Sequence, residues 1–305
     1  MIVIKKLLKK IPPIGIISEF LYWRRRYRKL FQEAPPGHYY SPLPDVEWVL
    51  SNTEKLYLEK VSLSSDICLQ ADFQKNLRCD LAKYFPEFNF PKEPSDGFRY
   101  HDNSMFGLGS GLVLFGMIRH FQPKQIIEIG SGYSSALMLD TNDRFMDRQM
   151  KLTFIEPYPD RLHSLLKDED RSCCTIFDKP VQDIPLSIFE RLQKNDILFV
   201  DSSHVTKIGS DVNYIFFEIL PVLKAGVIIH FHDIYWPFEY PLTWIQQGRA
   251  WNEAYLLRAF LQYNNSFEIL HFNHFLASCY SEFCCQVTGT SSTGSSIWIR
   301  KKGKP

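Results

Sequence analysis

From Gln125 onward the chain repeats one unit: a run of four or five apolar residues, a turn, and a helical stretch. Gln125–Ile129, Leu152–Ile155, Cys174–Phe177, Ile197–Val200 and Val227–Phe231 are the strand candidates. Ser134–Leu139, Arg161–Leu166 and Ser187–Leu192 predict helices between them, as does the stripe Ile208, Val212, Ile215, Phe216, Ile219, Leu220, Leu223. Pro221 ends or distorts that last helix, and Gly226 precedes the fifth strand. A further helix, Leu112–Phe121, stops before Pro123. Such alternation predicts an α/β domain built on a mostly parallel sheet. Asn252 is placed to cap a helix running through Leu261. Two more strand candidates follow, Phe267–Phe272 and Ile297–Arg300, joined by a segment with a Ser/Gly/Thr-rich loop. No internal repeat is visible.

The predicted organisation has three parts. Residues 1–34 form a basic amphipathic arm, residues 35–97 a mostly helical accessory or lid region, and residues 98–305 the α/β domain. In the arm, nine Lys and Arg stand between Met1 and Leu30 against Glu19 alone. Ile4, Leu7, Leu8 and Ile11 share one helical face; after Pro12-Pro13, Ser18 can cap a second helix with Phe20, Leu21, Tyr27, Leu30 and Phe31. A segment of this kind suits peripheral contact with an anionic membrane through residues 1–30, or packing on the same chain or a second subunit, as in a homodimer. Asp45 can cap the stretch that follows it, and Leu77, Leu81, Tyr84 and Phe85 recur at helical spacing.

The net charge of +1 argues against a nucleic-acid partner. Seven cysteines with no C-x-x-C spacing give neither a zinc ribbon nor a disulfide framework, and reduced thiols in the cytoplasm are expected. No apolar run is long enough for a membrane span, and MIVIKKLLKK lacks the core and cleavage site of a secretory signal.

The chemistry concentrates in Ile126-Ile127-Glu128-Ile129-Gly130-Ser131-Gly132-Tyr133-Ser134. Glycines between a strand and a helix let backbone N–H groups approach a ligand and tolerate positive φ. Glu128 would repel a pyrophosphate but suits a ligand carrying an ammonium group. Glu156 ends the next strand, 24 residues after Gly132, where an acid accepts hydrogen bonds from ribose hydroxyls.

Read in order, these residues resemble class I S-adenosylmethionine-dependent methyltransferases. The acid-x-Gly-x-Gly-x-small pattern runs from Glu128 to Ser134, with Ser134 in place of a third glycine, and Glu156 is the second-strand acid. The resemblance implies a Rossmann-like, seven-stranded, mostly parallel sheet with a C-terminal antiparallel hairpin. It implies S-adenosylmethionine held by Glu128, Gly130, Ser131, Gly132, Ser134 and Glu156, with Asp183 near the adenine and Asp201 beside the donor.

Asp201 and His204 follow the fourth strand, and His230, His232 and Asp233 end the fifth. This resembles the catechol O-methyltransferase-like bacterial branch, which implies Asp201, His232 and Asp233 at the position of a divalent metal. His204 stands where that branch places its base, and His232 and Asp233 join it as catalytic candidates. A histidine in the set is a poor match to magnesium, so manganese, zinc or no metal are the alternatives. Tyr235, Trp236, Phe238, Tyr240, Trp244 and Trp251 suit a sugar or aromatic acceptor, or equally a packed loop. The expected reaction is O-methylation of a small-molecule or glycan acceptor. The rivals are an NAD(P)-dependent oxidoreductase and a catalytically silent nucleoside-binding protein.

Overall fold

The computed structural model describes residues 16–24, 34–57, 67–289 and 294–303. Two compact units emerge, Met1–Glu54 with Leu242–Ala250, and Lys55–Pro241 with Trp251–Pro305. In the first, residues 16–24 are helical, so Ser18 lies inside the helix and does not cap it. The rest of the expected arm, residues 1–15 and 25–33, lies outside the described residues. Asp45 does cap its helix, Val46–Ser51, its carboxylate accepting from the Trp48 N–H at 3.0 Å.

The second unit holds the sheet. Its strands are β1 (Gln125–Ile129), β2 (Lys151–Ile155), β3 (Cys174–Phe177), β4 (Ile197–Val200), β5 (Ile228–His232), β6 (Phe267–Phe272) and β7 (Ser296–Lys301). Their order is β3-β2-β1-β4-β5-β7-β6. The first five are parallel, and β7 runs antiparallel between β5 and β6. Parallel strands covered on both faces need apolar residues at every position. All four residues of β4 are accordingly buried. Ile129 pairs with both Ile155 and Val200, so β1, β2 and β4 end level and deliver their turns to one edge. The strand order reverses between β1 and β4, the position where open α/β sheets form their ligand crevice.

The helices follow the sequence reading with revised bounds. They include α1 (Ala71–Ala82), α2 (Leu108–Phe121), α3 (Tyr133–Phe145), α4 (Asp160–Leu165), α5 (Glu253–Leu261), α6 (Asn273–Cys279) and α7 (Ser281–Thr288). Leu77 and Leu81 are buried on α1, whereas Tyr84 and Phe85 lie past its end. Gln74 ties α1 to the sheet by accepting from the Phe272 N–H at 2.7 Å, so residues 67–97 belong to the same unit as β6. Arg99, buried, anchors the approach to α2 by pairing with Asp140 and Asp143 of α3, each at 2.8 Å, and with Asp170.

Four local expectations change. Ser187–Leu192 forms a 3₁₀ helix, Leu186–Arg191. The long helix begins at Asp211, behind the Ser210 cap, and Ile208 is fully exposed ahead of it. Its middle, Ile215–Ile219, widens into a π turn just before Pro221, whose ring would clash with the carbonyl four residues back. Asn252 stands at the N-cap of α5 as expected, but its side chain makes no capping hydrogen bond: its oxygen accepts from the Thr206 N–H at 2.6 Å. The β6–β7 connection contains α6 and α7, and residues 290–293 within it lie outside the described residues. No disulfide joins any of the seven cysteines, and no helix among the described residues is long and apolar enough to cross a membrane.

Candidate active site

The turn after β1 is pressed against the turn after β4. Gly130 sits at φ +83°, and a Cβ there would lie 1.7 Å from the Asp201 carbonyl oxygen. Only glycine meets both conditions. The Gly130 N–H donates to Ile155 (3.0 Å) and the Asp201 N–H to Ile129 (2.8 Å), locking the three strand ends together. Gly132 differs. Its φ of 178° is ordinary extended backbone, and the nearest atom to a Cβ would be the flexible Arg161 side chain at 3.3 Å.

Glu128 does not face the crevice as the sequence suggested. It is fully buried, and its carboxyl accepts from the hydroxyls of Ser134, at 2.5 Å, and Ser135. Burial pushes its pKa up, and the serine hydrogen bonds only partly oppose this, leaving it at about 8. Ser135 Oγ in turn accepts from the Gly132 N–H at 2.9 Å. Glu128 and Ser134 therefore shape the loop from beneath, so neither lines the ligand space directly.

A cleft of about 410 Å³ opens beside this turn, within the range of small-molecule sites. Gly130, Glu156, Gln182, Ser203, Asp201 and Lys207 are among the residues lining it. Glu156 accepts from the backbone N–H groups of Ser131 (3.1 Å) and Tyr158 (2.8 Å), which fixes its carboxylate and leaves lone pairs for a ligand. Gln182 donates through Nε2 to the Gly209 carbonyl at 2.8 Å, while its Oε1 is buried with no partner among the described residues. Asp183, the sequence candidate for this place, is exposed and outside the cleft. The two share a 3₁₀ turn, Val181–Asp183, whose tight winding turns Gln182 inward. Ser131 Oγ is buried without a partner among the described residues, but Ser131 does not line the cleft.

Beyond Asp201 the structure assembles a group that the sequence did not reveal. His204 is buried between two carboxylates, with Nδ1 2.8 Å from Glu253 and Nε2 3.3 Å from Asp201. Trp251 covers its ring, with centroids 4.3 Å apart. Burial alone would lower the histidine's pKa, but the hydrogen bonds and charges of Asp201 and Glu253 outweigh it and raise it to about 10. Burial likewise works against the Asp201 carboxylate, yet His232, His204 and Arg161 hold it below its ordinary value. His204 is thus an imidazolium at neutral pH with both nitrogens engaged. This corrects its expected role as general base, which requires a free lone pair. Glu253 escaped the sequence reading because it lies 49 residues from His204.

His232 and Asp233 also face partners of their own. Nδ1 of His232 lies 3.3 Å from Nε2 of His230, and its Nε2 lies 3.7 Å from Asp233. His230 stacks on Phe199 at 3.9 Å, and burial lowers its pKa far enough to keep it neutral. Asp233, at φ +53°, accepts from Ser295 Oγ at 2.8 Å.

Among the described residues, no group of three or more His, Cys, Asp or Glu is placed to hold a metal ion. Asp201, His232 and Asp233 are not gathered into such a group: Asp201 is held by His204, and Asp233 accepts from Ser295. The aromatic segment favours packing at several positions: Trp236, Phe238 and Tyr240 are buried, with Trp236 against Phe272 and Phe275. Trp244, in the other unit, lies under the Arg249 guanidinium at 4.6 Å.

A family model described as a methyltransferase domain matches residues 127–234. An uncharacterized protein of Archaeoglobus fulgidus is 33% identical over 181 residues, 57% of this chain and 78% of that protein. The chain belongs to this methyltransferase-domain family.

Solved structures with a similar chain path include the SAH-bound methyltransferase PaMTH1 of Podospora anserina, at 17% identity and a TM-score of 0.42. That match covers 77% of this chain and 94% of the other. The O-methyltransferase TomG of Streptomyces achromogenes is 15% identical, with a TM-score of 0.40 and 74% and 90% of the two chains covered.

Proposed function

We propose that the protein transfers a methyl group from S-adenosylmethionine to an oxygen of a small-molecule or glycan acceptor. The observation that carries this reading is the cleft at the strand-order reversal, where Glu156 presents carboxylate oxygens fixed by two backbone N–H groups. Glu156 suits the two ribose hydroxyls, and Gln182 lines the wall of the same cleft. The turn at Gly130 brings backbone to the same space without a side chain. When bound, S-adenosylmethionine supplies an electrophilic methyl on a sulfonium centre. The protein's remaining work is alignment, exclusion of water, and a place for the acceptor's proton.

Asp201 is best placed for the alignment. It lines the cleft, and it stays ionised because His204 and His232 stabilise its charge. Its carboxylate can accept a hydrogen bond from an acceptor hydroxyl and orient the oxygen. His204, fixed from behind by Glu253, positions Asp201 and does not itself take the proton.

Glu156→Ala tests the donor site. Losing hydrogen bonds to a charged group costs roughly 1.5–3 kcal/mol, so calorimetry is expected to give at least about tenfold weaker S-adenosylmethionine binding. Unchanged affinity would sink the assignment. NAD titrated into the unaltered protein is expected to give no binding heat; tight NAD binding would favour the oxidoreductase rival. The acceptor is open to a screen with labelled donor, in which Asp201→Asn should lower turnover by about a hundredfold or more.

A further inference from the structure

The helix at residues 16–24 is exposed along nearly its whole length. At 100° per residue, Ile16, Ile17, Phe20, Leu21 and Trp23 fall within roughly 160° of its circumference, an arc that Arg24 joins at the C-terminal end, with Ser18, Glu19 and Tyr22 opposite. That apolar arc faces solvent: Ile16 is 69% exposed, Phe20 63% and Trp23 59%. Covering such a face would remove its apolar side chains from water and so be favourable.

The charge around the helix identifies the cover. The first 30 residues carry nine of the chain's 35 Lys and Arg but only one of its 34 Asp and Glu, leaving the remainder net acidic. A basic segment with an apolar face would be repelled by nothing on an anionic lipid surface, whereas a second copy would bring a second set of nine cations against the first. Trp23, within the arc, also has the amphipathic ring that settles at headgroup depth.

We infer that residues 16–24 are a docking helix for an anionic membrane surface, with the apolar arc inserted at the headgroup boundary and the neighbouring Lys and Arg held by lipid charge. This does not depend on the donor-site reading.

The test is sedimentation of the full-length protein with phosphatidylcholine vesicles, with and without phosphatidylglycerol. Binding is expected to be at least about tenfold tighter to the anionic vesicles and to weaken as salt is raised. Phe20→Ser, Leu21→Ser and Trp23→Ser together should cut vesicle affinity by at least about tenfold. The same triple variant should melt as the unaltered protein does and keep its S-adenosylmethionine affinity. Equal partitioning of variant and unaltered protein, or no preference for anionic lipid, would overturn the inference. So would a dimer seen in ultracentrifugation that the triple substitution breaks while vesicle binding persists.

Discussion

His204→Ala is expected to destabilise the protein by about 4 kcal/mol, because removing one partner of a buried ion pair leaves the other as an uncompensated charge. Glu253, fully buried and 2.8 Å from the ring, is that partner. In thermal unfolding the loss should appear as a fall in Tm of about 10 °C. Adding Glu253→Gln removes the stranded charge, so the double variant should recover about 2 kcal/mol of the loss. A double variant no more stable than His204→Ala would show that the clamp is not the source of the effect.

The pH dependence follows from the same group. A histidine raised to about 10 when folded, from a reference value of 6.5, contributes its full stabilisation below about pH 6.5 and loses it as pH rises towards 10. Glu128, raised to about 8, acts in the same direction, since its ionisation is disfavoured in the folded state. Stability measured by denaturation should therefore decline from neutral to alkaline pH, and decline less steeply in Glu253→Gln.

Gly130→Ala and Gly132→Ala should separate sharply, although the motif presents the two glycines alike. At Gly130 the added methyl would need the space of the Asp201 carbonyl oxygen, at a φ that L residues avoid. Backbone strain and overpacking together are worth about 4 kcal/mol, again a fall of about 10 °C in Tm. Displacing the strand ends by an ångström should weaken donor binding by about a hundredfold. At Gly132 the nearest protein atom is a movable arginine methylene, so Tm should shift by no more than about 3 °C. Calorimetry and thermal melts on both variants decide the matter, and equal losses of stability would refute the geometry.

The strands were legible because a strand buried on both faces must be an uninterrupted apolar run, as Ile197–Val200 is. Glu156 was legible for a related reason: an acid directly after such a run can only emerge at the sheet edge. Gln182 and Asp183 were not distinguishable, since which of two neighbours turns inward depends on the winding of a three-residue turn. Glu128 was misjudged because the motif specifies its position along the strand but not that two serines one turn into α3 would claim both oxygens. The role of His204 was hidden still more deeply. Its charge state is set by Glu253 and by Asp201 together, and a contact across 49 residues leaves no trace in local spacing.

The meeting of Gly130 with Asp201 has a consequence for divergence. The proposed donor site rests on backbone packed against backbone and on Glu156 at the end of β2. Its tolerance for change is therefore small. The stretches after β4 and β5 are anchored differently, by side chains such as Ser203 on Asp211 and Ser295 on Asp233. These anchors can be exchanged one at a time without moving the strand ends. Descendants of this scaffold can thus acquire new acceptors through residues 202–211 and 233–241 while inheriting the donor pocket intact.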